Sequence, residues 1–185
     1  GNFGNLTAGL IAKRMGLPVK KFVVATNVND VVPEYLTSGV FTPRPSERTL
    51  SNAMDVGNPS NFARMLELYD HDVEKMRQDL FAARFTDDDT RRVMKEVYEK
   101  CGYVLDPHGA VGYLGLQKYH EQFPESTGIF CETAHPAKFK EIVEEALGMK
   151  VAIPERLAEY AKREKISMKI STEYKDLKGF LLETS

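Results

Sequence analysis

Gly1-Asn2-Phe3-Gly4-Asn5-Leu6-Thr7-Ala8-Gly9-Leu10-Ile11-Ala12-Lys13-Arg14-Met15, with Lys21-Phe22-Val23-Val24-Ala25 just beyond it, is the stretch whose reading decides the fold. Gly1 to Asn5 is loop chemistry. From Leu6 to Met15 apolar residues recur at helical spacing, and Gly16 and Pro18 stop that helix. Residues 21 to 25 read as a buried strand, rich in β-branched and aromatic side chains. Loop, helix and strand in this order are the rhythm of an α/β domain. Glycines let backbone amides approach a phosphate closely, and a helix N-terminus adds unpaired N–H groups and a favourable dipole. Taken alone, the opening turn is more simply an ordinary helix cap than an anion site.

Outward from that stretch, residues 27 to 62 are loop-rich, with Asn, Pro, Gly and Ser spread through them. So long a stretch without strong periodicity suggests a functional loop. Helical patterns follow at 61–69, 71–84 and 87–100; Thr86 suits the N-cap of the last, Asp87, Asp88 and Asp89 its first turn, and Gly102 its end. The α/β rhythm returns with strands at 103–105 and 127–131, each followed by a helix, through about Gln122 and from Pro136 to Leu147. Two more helices are predicted at 155–164 and 172–182. The expected fold is α/β: a three-layer, open, mostly parallel sheet flanked by helices. Residues 1–58 and 103–150 form its α/β portion, 59–102 a helical insert and 151–185 a C-terminal helical segment.

Composition narrows the function. With 185 residues, 42% hydrophobic and 28% charged, the chain can bury one good core. A net charge of -2 without blocks of one sign argues against non-specific nucleic-acid or anionic-membrane binding. No apolar run approaches the roughly 20 residues needed to cross a bilayer. No signal peptide is visible, and Cys101 and Cys131 read as reduced, partly buried thiols, so a cytoplasmic protein is expected.

Polar clusters follow each predicted strand: Asn27, Asn29 and Asp30; Asp106-Pro107-His108-Gly109; and Glu132-Thr133-Ala134-His135-Pro136. In open α/β sheets ligands bind beyond the C-terminal strand ends, so three clusters at one level outline a site rim. Singly, each also reads as a helix cap, with Asp106 capping the helix that begins at Pro107. In the Ser/Asn/Asp-rich loop at 49–62, Thr49, Ser51, Asn52 and Arg64 can hydrogen-bond an anionic substrate. A surface loop shaped by Asx-turns is the other reading. His71 and His120 sit in charged helical surroundings and read as surface residues; His108 and His135 sit at strand-to-helix turns. No ligand spacing for a metal and no nucleophile elbow is present.

The segment Gly1 to Gly9 resembles the phosphate-binding loop of threonine synthases, normally Ser-Gly-Asn-Phe-Gly-Asp/Asn. Four further segments match that family in order: Ala25-Thr26-Asn27-Val28-Asn29-Asp30, Ser51-Asn52-Ala53-Met54-Asp55-Val56, Asp106-Pro107-His108-Gly109-Ala110 and Glu132-Thr133-Ala134-His135-Pro136-Ala137-Lys138-Phe139. The resemblance implies a fold-type-II pyridoxal 5'-phosphate (PLP) enzyme, a lyase of amino-acid biosynthesis that turns O-phosphohomoserine and water into threonine and phosphate. By that resemblance Gly1, Asn2, Phe3, Gly4 and Asn5 hold the cofactor phosphate, and Thr133 hydrogen-bonds the pyridine nitrogen. Asn29, Ser51, Asn52 and Asp55 are the substrate-side candidates. The family's Schiff-base lysine lies upstream of the glycine loop, and no lysine here stands at a matching motif. No catalytic residue is therefore assigned. The chain is expected to be a C-terminal fragment, inactive alone, whose partners are the missing N-terminal half and, if it self-associates, a second copy in a homodimer. An isolated phosphate- or PLP-binding module, or a fragment of a related PLP-dependent amino-acid lyase, are the alternatives.

Overall fold

In the computed structural model, residues 1–183 are described. The chain divides into two compact units, Gly1–Ala152 and Ile153–Ser185. The first begins with helix α1 (Gly4–Arg14) and strand β1 (Phe22–Thr26), as the opening stretch predicts. Then come α2 (Val31–Ser38), a short 3-10 turn (Asn52–Met54), α3 (Phe62–Leu68), α4 (Val73–Asp79) and strand β2 (Leu80–Arg84). Helices α5 (Asp87–Cys101), α6 (Pro107–His120) and α7 (Lys140–Leu147) complete it, with a 3-10 turn at Pro136–Phe139 before α7. The second unit contains α8 (Glu155–Ala161) and α9 (Tyr174–Glu183). Among the described residues no helix is long and apolar enough to cross a membrane.

The sheet of the described residues has two parallel strands, paired from Phe22 opposite Leu80 to Thr26 opposite Arg84. The alternation of side chains along a strand divides β1 between two layers. Phe22 and Val24 face one core with Leu10, Val31, Val32, Tyr35, Phe62, Met65 and Met76. Val23 and Ala25 face the other way, against α6. There the contact is close enough that a Cβ on Gly115 would stand 2.7 Å from Ala25 Cβ and 3.0 Å from Val23 Cγ1. Behind α6, Val93, Met94, Val97, Leu105, Leu114 and Val143 form a second core. The result is helices, sheet, helices: a small three-layer α/β arrangement.

Three expectations need correction. The helix predicted over 71–84 stops at Asp79, and Leu80-Phe81-Ala82-Ala83-Arg84 is a strand. Leu and Ala give it a helical look, but parallel pairing with β1 along its whole length overrides propensity. The sheet thus reaches into the stretch read as a helical insert. Conversely, the segments expected as strands at 103–105 and 127–131 are unpaired. A strand needs a neighbour for its backbone groups, and both Tyr103 (50% exposed) and Ile129 (87%) lie at the surface. Helix α2 also stands where only loop was expected. Pro33 falls in its first turn, where the missing N–H costs nothing, and Val31, Val32, Tyr35 and Leu36 bury one stripe.

Helix ends follow their predicted chemistry. Thr86 and Asp89 form a reciprocal capping box on α5, with Gly102 closing it at φ 69°. Asp106 caps α6 by accepting the His108 N–H at 2.8 Å, with Pro107 at the first helical position. The thiols of Cys101 and Cys131 are free and exposed rather than partly buried.

The Gly115 contact is a direct measure of how tightly α6 seats on the sheet. Gly115→Ala is expected to destabilise the chain by about 1–3 kcal/mol, since the added methyl must push β1 and α6 apart. Denaturant unfolding followed by circular dichroism measures it.

Candidate functional site

Phe3 carries the turn into α1 at φ 59° and ψ 26°, a left-handed conformation unusual for a residue with a side chain. Its ring packs against the first core, and its carbonyl accepts two hydrogen bonds from Thr7, from N at 2.9 Å and Oγ1 at 2.8 Å. These contacts hold the strained geometry in place. No side chain caps α1, and no acidic residue sits in its first turn. The first amides of a helix have no intrahelical acceptor, so this end presents bare donors and a positive dipole.

Those amides open on a cavity of about 320 Å³ lined by Gly1 to Leu6, Val23, Val24, Ala25 and Met54. Asn2 anchors the near wall. Its Oδ1 accepts the Ser60 N–H at 2.6 Å, its Nδ2 donates to Ser60 Oγ at 3.0 Å, and its carbonyl accepts Asn61 Nδ2 at 2.9 Å. Met54 lies beside Gly1, its Cα 3.6 Å from where a Cβ would stand, an ordinary contact.

Met54 belongs to the loop at 49–56, and that loop is organised by the Asp55 carboxylate. Its Oδ1 accepts Thr49 Oγ1 at 2.7 Å, Asn27 Nδ2 at 2.9 Å and Asn29 Nδ2 at 3.1 Å, while Oδ2 accepts the Thr49 N–H at 2.9 Å. Asn29 also accepts the Glu47 N–H at 2.8 Å and donates to Asn27 Oδ1 at 3.0 Å. Ser51 is buried, its Oγ 2.9 Å from Asn27 Nδ2. Of the four predicted substrate-side residues, buried Asn29 and Ser51 and half-buried Asp55 are thus bound into one network, and Asn52 alone is exposed. Arg64, also considered for an anion, donates to Asn61 at 3.3 Å. Outside the loop, Arg44 and Arg84 both pair with the buried carboxylate of Asp30.

A second connection was not legible in the sequence. His108 Nδ1 lies 2.7 Å from Asp106 Oδ1, and its Nε2 accepts the Ala53 N–H at 3.2 Å. The bridge therefore has Nδ1 carrying the proton, and it ties α6 to the turn that bears Met54. Asp106 is completely buried; burial opposes its charge, but hydrogen bonds from His108 and Glu132 hold its pKa below the ordinary value. Glu132 goes the other way, pushed up to about 8 by burial and then by Asp106. Thr133, next along, is exposed and lies outside the cavity lining. His135 caps its own 3-10 turn by accepting the Ala137 N–H at 3.1 Å. His71 pairs with Glu67 at 2.8 Å, whereas His120 is half-buried rather than at the surface.

A parallel sheet, a helix without a side-chain cap at its start and a cavity at that start define an α/β protein whose first helical amides face a cavity. Comparison with known proteins is specific. A model of the threonine synthase C-terminal region matches residues 109–181. Threonine synthase from Haemophilus influenzae is 45% identical over 185 residues, all of this chain and 42% of that protein. The Escherichia coli enzyme is 43% identical over 182 residues, 98% of this chain and 42% of that protein. Its crystal structure superposes with a TM-score of 0.85 over the whole chain and 42% of its own. A PLP-bound threonine synthase from Brucella melitensis, 30% identical, gives 0.82 over 99% of this chain and 44% of its own. The chain is similar over its whole length to threonine synthases, and it spans about two fifths of the length of the relatives it matches.

The Asp55 hub sets the loop that walls the cavity. Asp55→Ala is expected to cost about 3 kcal/mol, because several buried donors lose a charged acceptor together. Asn52→Ala, at an exposed position, is expected to stay within about 0.5 kcal/mol of the parent. Urea unfolding measures both, and limited proteolysis should cut the 47–58 loop earlier in the Asp55 variant only.

Proposed function

We propose that this chain supplies the phosphate-holding wall of a PLP-dependent threonine synthase, whose whole form converts O-phosphohomoserine and water to threonine and phosphate. The observation that carries the reading is the uncapped start of α1, held open by Phe3 and facing the 320 Å³ cavity, in a chain 45% identical to such an enzyme. The donors suit a phosphate dianion: they are main-chain N–H groups at a positive helix end, with no carboxylate in the first turn to repel it.

When bound, PLP supplies an electron sink for the carbanionic charge that arises on the substrate's amino-acid portion. The chain's own part is to bind and orient. The amides of Gly4 and Asn5 and the turn at Gly1 to Phe3 hold the phosphate. Thr133 offers a hydroxyl to the pyridine nitrogen, a partner that leaves that nitrogen less firmly protonated than a carboxylate would. On the substrate side, Asn29, Ser51 and Asp55 act from behind by fixing the loop, and Asn52 reaches outward at its rim.

The test is titration of the 185-residue chain with PLP, followed by amide resonances. Gly4, Asn5 and Leu6 are expected to shift with PLP and with inorganic phosphate but not with dephosphorylated pyridoxal. The long-wavelength absorbance of a lysine Schiff base is expected not to appear. Gly4→Asp has room for its side chain and keeps the helix start favourable. It is expected to weaken phosphate binding at least about tenfold by like-charge repulsion. Loop amides that ignore PLP, or a Gly4→Asp variant that binds as well as the parent, would overturn the reading.

A further inference from the structure

We propose that Glu132 and Asp106 form a one-proton clasp that positions Thr133, fastening the segment that carries it onto the first turn of α6. For the role of Thr133 this rests on the function proposed above; the clasp itself rests on geometry.

Asp106 uses Oδ1 to accept both the N–H and the ring Nδ1–H of His108, at 2.8 and 2.7 Å. Its other oxygen, Oδ2, is enclosed and meets no N–H or hydroxyl donor among the described residues. Oε1 of Glu132 is enclosed in the same way. Two such carboxyl groups satisfy each other only if one keeps a proton and donates it, and the two stand close enough that each moves the other's titration. The space for this is made by Gly109. A Cβ there would stand 1.8 Å from Glu132 Oε1 and 2.4 Å from its Cδ. Gly109 is not among the residues of positive φ, so the helix does not need a glycine at that point. The Glu132 carboxyl does.

The proton belongs to Glu132. Asp106 receives two bonds from His108 that favour its ionised form, while burial and the Asp106 charge keep Glu132 neutral up to about pH 8. Besides each other, the titratable groups facing the pair are Tyr103 on the preceding segment and His108 on α6. Above that pH two carboxylates share one enclosed space, and the clasp opens. An unfolded glutamic acid releases its proton near pH 4.5. The folded chain alone therefore holds the proton between about 4.5 and 8, and the clasp's contribution is complete below that window and lost as pH rises through it. Because Asp106 also holds His108, and His108 receives the Ala53 N–H, both Thr133 and the 51–55 turn answer to the same proton.

The experiment is a carboxyl-carbon NMR titration of the whole chain from pH 4 to 10, with Glu132→Gln and Gly109→Ala alongside. One carboxyl is expected to titrate near pH 8, and the Thr133 and Ala53 amides to follow it. Gln, a neutral residue that still donates, is expected to abolish that titration while keeping the low-pH positions of both amides. Gly109→Ala leaves the helix intact and is expected to return Glu132 to the ordinary carboxylate range. A Glu132 that titrates near 4.5 in the parent, or amides that do not follow it, overturns the clasp; the parent titration decides this even if a variant fails to fold. PLP affinity of parent and Glu132→Gln, compared at pH 6 and 9, separates the two readings. Parent affinity falling several-fold relative to Glu132→Gln at pH 9 supports positioning of Thr133. Equal affinities with an opened clasp remove that positioning role. No PLP binding at either pH removes the proposed function and leaves the clasp standing.

Discussion

The parallel pairing of β1 with β2 is the constraint on which the rest of the unit depends. Two strands parallel to one another cannot be joined by a tight turn, so the chain between them must travel. It travels as α2, the long loop, α3 and α4, and these elements cover one face of the sheet. The other face then requires a second cover, which α6 supplies at a distance only Gly115 permits. Layering and core division both follow from that one pairing.

The same geometry explains why polar residues far apart in sequence meet. Asn27 and Asn29 emerge just past β1, and the loop at 49–56 is folded back upon them by Asp55. Met54 is thereby set against Gly1, and Ala53 against His108. A half-buried carboxylate with several donors is a rigid device, since unmaking its bonds to Asn27 and Asn29 leaves buried amides behind. The cavity wall is held by this interior chemistry and by hydrogen bonds from Asn2. It does not depend on apolar packing alone.

Much of the architecture was legible in the sequence. The period change from Leu6–Met15 to residues 21–25 gave α1 and β1, and Thr86, Gly102 and Asp106 marked helix ends by their capping chemistry. β2 was hidden because Leu80 to Arg84 carries helical propensity, and its strand state is imposed by a partner more than fifty positions away. Residues 103–105 and 127–131 show the reverse: strand-like composition with no strand to pair with among the described residues. For the site, residue types and family motifs were legible, but their division of labour was not. That Asn29, Ser51 and Asp55 face inward while Asn52 faces out depends on loop geometry. That His108 reaches Ala53 depends on where α6 sits. The carboxyl pair left only one trace in the sequence, a glycine in a helical turn that had no conformational need of it.

The opening turn is made of main-chain donors, and this changes how the site can vary. A cradle of lysines and arginines is erased by replacing its side chains. Here the N–H groups persist under almost any substitution, and only a proline would delete one. Inheritance at these positions therefore acts on shape. Phe3 is constrained by the left-handed backbone angle that its packing must sustain. What this turn stores is a torsion, and drift in it should be limited by what backbone angle a residue sustains before it is limited by what its side chain bonds.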